Sequence, residues 1–104
     1  MNYDSHIIEI RKTALYQQWF DGIGDKMARL RVQTRVYRLS LGNPGQHRNL
    51  TDGVTELKLD HGPGYRVYFT QRGDALVLLL VGGDKSTQAQ DIAQAIGLAK
   101  EWKP

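Results

Sequence analysis

Gly62-Pro63-Gly64-Tyr65-Arg66-Val67-Tyr68-Phe69-Thr70, then Gln71-Arg72-Gly73-Asp74, then Ala75-Leu76-Val77-Leu78-Leu79-Leu80-Val81-Gly82-Gly83-Asp84-Lys85-Ser86, run on without a break and decide the fold. Tyr65, Val67 and Phe69 alternate with Arg66, Tyr68 and Thr70, the period of two that marks a strand with one covered face. Gln71 to Asp74 contains the glycine that a tight hairpin needs. Ala75 to Val81 shows no alternation, as expected of a strand buried on both faces and interior to its sheet. Gly82-Gly83 reads as the end of that strand, and Thr87-Gln88-Ala89-Gln90 has the form of a capping box opening a terminal helix. The hairpin brings Arg66, Tyr68 and Lys85 into one small sheet with few acids nearby, a surface suited to phosphate.

Upstream, Val54 to Leu59 alternates with Leu57 and Leu59 on one side and Glu56 and Lys58 on the other. If those leucines share the core with Tyr65, Val67 and Phe69, then Lys58, Arg66 and Tyr68 lie on an open face. Gln46 to Leu50 reads as a short extended segment closed by the turn Thr51-Asp52-Gly53. Before it, a helix is expected from an Asp25 N-cap to Leu41, stopped by Gly42-Asn43-Pro44-Gly45. Its apolar residues fall on two faces: Met27, Leu30, Thr34, Tyr37 and Leu41 on one, and Ala28, Val32, Val36 and Leu39 on the other. Arg31, Arg35 and Arg38 form a stripe between them. Both faces are expected to be covered within the domain, the alternative being that one is offered to a partner. Earlier still, His6 to Arg11 reads as a strand. Thr13 caps a helix whose stripe Leu15, Tyr16, Trp19, Phe20 and Ile23 ends near Gly22 to Gly24.

The 104 residues suit one domain, 1–104, of the α+β class: a small antiparallel-rich sheet packed against two N-terminal helices, with a C-terminal helix. Zero cysteines and three scattered histidines exclude disulfides and thiolate metal sites and argue against a histidine one, so no metal and no cofactor is expected. The longest apolar run is far below the roughly 20 residues of a membrane span, and the N-terminus has no basic-then-apolar leader, so a soluble cytoplasmic protein is expected. A net charge of +3 is modest, but its distribution is not. Between Asp25 and Asp52 there is no acid, while Lys26, Arg29, Arg31, Arg35, Arg38 and Arg48 all fall there. Such a block fits either a polyanionic or acidic partner or a solvated face.

Two motif readings need weighing. Gly82-Gly83-Asp84-Lys85-Ser86 lacks the spacing of a nucleotide-binding P-loop, because Asp84 stands where that motif has its glycine beside the lysine. It reads instead as a turn and helix cap, beside which Lys85 can hold one phosphate of a longer chain. Arg66, on a middle strand, is either an ion-pair partner for Glu56 or a ligand-binding group.

Arg38-Leu39-Ser40-Leu41-Gly42-Asn43-Pro44-Gly45, Gly53-Val54-Thr55-Glu56-Leu57-Lys58-Leu59, Gly62 to Phe69 and Val81 to Ser86 together resemble the RelE/ParE toxin superfamily, and more narrowly its HigB-like, "addiction module killer protein" branch. The likeness covers about residues 7 to 101. It implies a type II toxin that cuts mRNA on the ribosome without a metal, by attack of the ribose 2′-hydroxyl on the adjacent phosphate. It also implies partners: an antitoxin encoded alongside, of helix-turn-helix type, which carries the pair to operator DNA. By position Arg66 matches the family's phosphate-stabilising arginine and Lys58 its strand lysine, while Lys85 falls where many members have arginine. Active members often carry a tyrosine or histidine near the C-terminus, and none follows Lys85 here. His61, Tyr68 and His47 are the candidates for proton transfer. Arg31, Arg35, Arg38 and Arg48 would then bind RNA or antitoxin. A ParE-like gyrase inhibitor without catalysis, and an inactive homologue serving only as antitoxin partner, remain alternatives.

Overall fold

A five-stranded sheet organises the chain, and its strand order explains why the 75–81 run is apolar throughout. The computed structural model describes residues 7–102. The elements are β1 (Glu9–Lys12), α1 (Ala14–Asp21), α2 (Lys26–Ser40), β2 (His47–Asn49), β3 (Val54–Leu59), β4 (Tyr65–Arg72), β5 (Leu76–Asp84), a 3-10 turn (Lys85–Thr87) and α3 (Gln88–Glu101). The sheet order is β1-β5-β4-β3-β2. Only the β1–β5 pair is parallel; the other three neighbouring pairs are antiparallel. An interior strand covered on both faces must be apolar at successive positions, and Val77 to Gly83 are all buried.

Local signals place the helices. Thr13 accepts from the backbone N–H of Tyr16 and starts α1, while the Asp25 carboxylate accepts from Met27 N–H and starts α2. These two helices cover one face of the sheet. There Tyr16, Ala28, Val32 and Leu39 enclose Leu57, Val67, Val77 and Leu79 in the larger core. Each fully buried aliphatic side chain contributes roughly 1.5–3 kcal/mol by removal from water. On the opposite face α3 lays Ala95 and Ala99 over Val54, Tyr68 and Leu80. Arg72 fastens its C-terminal end, donating to the Ala99 carbonyl at 2.9 Å and lying 5.1 Å from the Trp102 ring centroid.

Four expectations are corrected. β5 does not end at Gly82-Gly83 but continues to Asp84. The glycines admit close neighbours: a Cβ at Gly82 would overlap the Trp19 indole, and one at Gly83 the Asp91 carboxylate. The capping box belongs to Asp84 and Thr87 in the 3-10 turn, and Thr87 makes no side-chain cap to α3. It donates instead to Asp91 at 2.6 Å. The face holding Arg66 and Tyr68 is not open, because α3 roofs it: Tyr68 is fully buried and Arg66 only 5% exposed. Finally, α2 is covered on one side only. Ala28, Val32, Val36 and Leu39 are buried, while Met27, Leu30, Tyr37 and Leu41 are each at least half exposed. After α2 the chain crosses to the far edge of the sheet and α3 goes to the other face, so among the described residues no later element lies over the exposed side of α2. His6, part of the expected first strand, lies outside the described residues, and within them that strand spans Glu9–Lys12.

Candidate functional site

The strand register concentrates the cations at one end of the sheet. Lys58 on β3 stands directly opposite Arg66 on β4, and Arg66 stands opposite Gly83 on β5. A strand pair puts directly opposed side chains on the same face, so Lys58 and Arg66 project together. Gly83 contributes no side chain between them and the start of the 3-10 turn. At Gly64, a Cβ would lie 3.1 Å from Arg66 Nη1 and 3.5 Å from Lys85 Cβ, and the backbone there has φ +81°. The loop therefore approaches both basic residues closely because position 64 lacks a side chain.

Two clefts meet at this pair. One, of about 370 Å³, is lined by Lys58, His61, Gly64, Arg66 and Lys85 among others. The other, of about 360 Å³, is lined by His47, Arg48, Glu56, Lys58, Arg66 and Gln88 among others. Lys58 and Arg66 border both. Arg66 is held by donating from Nη1 to the carbonyls of Gly64 at 2.7 Å and Tyr65 at 3.3 Å. Its Nε is buried without a hydrogen-bond partner. The guanidinium is thereby fixed where the two clefts meet.

Glu56 is not the partner of Arg66. It is 3% exposed, pairs with Arg48 at 3.3 Å and accepts from Gln88 Nε2 at 2.9 Å. Sequence reasoning left Arg66 as either an ion-pair partner for Glu56 or a ligand-binding group, and gave Gln88 no role. The available signal was the i, i+2 spacing of Glu56 and Lys58, which puts an acid on the cationic face. Tyr68 sits opposite Glu56 in the register. Burial, and after it the Glu56 carboxylate, pushes the Tyr68 phenol well above its ordinary range, so it stays neutral. Its buried hydroxyl has no hydrogen-bond partner of good geometry. Tyr68 thus forms the floor beneath the site.

The remaining candidates separate. His61 lines the first cleft, lies 3.5 Å from Asp25 Oδ2 and stacks on Tyr65 with centroids 6.4 Å apart. The Asp25 carboxyl is held below its usual range, chiefly by the Ala28 backbone N–H, with Met27 and His61 adding to it. Asp84 is lowered likewise, first by the Ser86 hydroxyl. His47, in the second cleft, bonds the Gly45 carbonyl through Nδ1 at 2.7 Å. Arg35 is not part of a solvent-facing stripe. Its guanidinium donates to the carbonyls of Lys58, Pro44 and Gln46 at 2.7, 2.9 and 2.7 Å, tying α2 to the β2–β3 edge. Burial lowers its pKa, and the neighbouring Arg38 adds to this. Arg31 and Arg38 border, together with Arg35, a further cavity of about 280 Å³ with Met27, Leu30 and Leu59, which shares His61 with the first cleft.

An uncharacterized protein of Haemophilus influenzae is 43% identical over 94 residues, spanning 90% of this chain and 95% of that protein. The chain belongs to that protein's family. No protein-family model matches the chain. In three dimensions it is similar to the E. coli toxin RelE, solved as a double arginine-to-alanine mutant in the free state, with a TM-score of 0.70 over 88% of this chain and 97% of that one. At 14% identity this likeness establishes a RelE fold. Among the described residues no helix is long and apolar enough to cross a membrane.

Proposed function

We propose that the chain is the toxin of a type II toxin–antitoxin pair, of the HigB-like branch, acting as one cytoplasmic domain that cleaves mRNA in the ribosome. The observation that carries this reading is the fixed Arg66 guanidinium between two clefts on a RelE fold, with Lys58 beside it, Glu56 to one side and His61 to the other. A phosphate seated on Arg66 and Lys58 has its developing charge stabilised in place, with Lys85 gripping a neighbouring phosphate. Glu56 takes the proton of the 2′-hydroxyl as its oxygen bonds to phosphorus. His61 protonates the 5′-oxygen as the P–O5′ bond breaks, leaving a 2′,3′-cyclic phosphate and a 5′-hydroxyl. Electrons and protons balance without a redox partner, and no cofactor takes part.

The antitoxin is assigned to the uncovered side of α2. Four large apolar side chains, Met27, Leu30, Tyr37 and Leu41, are exposed there beside Arg31 and Arg38. An acidic amphipathic helix complements that surface in both charge and apolarity.

Inducing the chain alone and mapping message 5′ ends, with gyrase supercoiling assayed in parallel, tests the reading. The expected result is new 5′ ends within translated messages and unchanged supercoiling, with cleavage by the purified protein on programmed ribosomes lost in Arg66→Ala. Altered supercoiling with intact message would instead assign gyrase inhibition, and neither effect would leave only the antitoxin-binding role.

A further inference from the structure

Beyond the Gly62–Gly64 loop from the cationic clefts lies another, of about 420 Å³, bordered by Gln18, Trp19, Ile23, Pro63, Tyr65 and Asp84. It differs in kind from its neighbours, because two aromatic rings wall it and, among the described residues, no basic side chain lines it. Trp19 and Tyr65 are each only half-buried. Their ring centroids lie 6.4 Å apart at 64°. Trp19 is fixed from behind, since its indole fills the space that a side chain at Gly82 would need. Tyr65 is held by ring contacts with both Trp19 and His61. Rings locked in this way lose little entropy when a flat ligand stacks on them.

The aromatic cleft adjoins the cleft of Arg66 and Lys85 across the Gly62–Gly64 loop. Pro63 borders both this cleft and the one containing Arg66 and Lys85. Tyr65 and Arg66 are consecutive on one strand and so face opposite sides of the sheet, while Asp84 and Lys85 flank the strand end, one in each cleft. A phosphate on one side of the loop and a planar, apolar-faced group on the other is the pattern of a nucleotide. We propose that this cleft is a nucleobase subsite, in which a base flanking the phosphate held by Arg66 stacks against Tyr65 and Trp19. Stacking reads the π-face that every base has, so the subsite adds affinity and sets the reading position on the strand. The inference rests on the RNA-cleaving reading proposed above.

The test uses full-length protein with Trp102→Phe, which leaves Trp19 as the single tryptophan, titrated with a cleavage-resistant 2′-O-methyl hexanucleotide and, separately, with inorganic polyphosphate. The hexanucleotide is expected to quench Trp19 emission and polyphosphate to bind without quenching. Tyr65→Leu should weaken hexanucleotide binding roughly tenfold, within the range of base–aromatic stacking, and leave polyphosphate affinity unchanged, which also shows that the variant is folded. Tyr65→Phe should bind as the parent does. If both probes bind but Tyr65→Leu affects them equally or not at all, the subsite is wrong and the phosphate grip stands. If the parent binds neither probe, the RNA reading fails and the subsite with it.

Discussion

At the scale of single residues, Arg66 and Glu56 show how position and surroundings divide labour between two buried charges on facing strands. Arg66 is held by backbone carbonyls and, among the described residues, no acid forms a contact pair with it, whereas Glu56 has Arg48 and Gln88. Arg66→Ala should therefore remove cleavage by at least a hundredfold while far-UV circular dichroism stays that of the parent. Retained cleavage by the folded variant would move the phosphate grip elsewhere. Glu56→Gln keeps an acceptor for Gln88 but cannot take a proton, and single-turnover cleavage should slow by about 10²–10⁴-fold, the usual share of a general base. A rate equal to the parent's would leave the proton to another group. That Arg66 shares a face with Lys58 was legible in the sequence from alternation, while their direct opposition is a matter of register that the structure supplies. The isolation of Glu56 from Arg66 was not legible, because it depends on Arg48 reaching across from β2 and Gln88 from α3.

At the scale of elements, the starts of α1 and α2 were legible and the end of β5 was not. Asp25 and Thr13 act through the next few residues, so local sequence contains the whole interaction. Gly82 and Gly83 were misread because glycine breaks strands when its neighbours are local and admits neighbours when they are distant. Gly82→Ala should destabilise the fold by about 1–3 kcal/mol through overlap with Trp19, measured by urea unfolding. The Gly82→Ala, Trp19→Phe double variant should recover part of that loss. The capping carboxylates Asp25 and Asp84 carry a pH signature. Both titrate below their unfolded value of 3.8, so their stabilisation is complete above that value and is lost as pH falls through the lower folded one. Melting temperature should accordingly fall on acidification below about pH 4. The Asp25→Asn, Asp84→Asn variant, which can still cap, should show a shallower fall, and an identical slope would place the acid sensitivity in other carboxylates.

At the scale of the whole molecule, the decisive fact is which surfaces the sheet leaves uncovered. Replacing Leu30 and Tyr37 together by glutamate should abolish capture of the co-expressed antitoxin and leave the melting temperature within a few degrees of the parent, because both side chains are more than half exposed. Undiminished capture would place the antitoxin on another face. The sequence by itself determined the α+β class, the position of nearly every element and the shared face of Lys58 and Arg66, because periodicity, caps and turns act over a few residues. It also showed that α2 has two apolar faces, but local pattern does not record what packs over a helix. Only the tertiary structure decided that α3 would roof the Tyr68 face and leave one side of α2 bare. The same holds for the Arg66–Lys85 cleft and the Trp19–Tyr65 cleft meeting at the Gly62–Gly64 loop, since both depend on residues far apart in the chain converging at one end of the sheet.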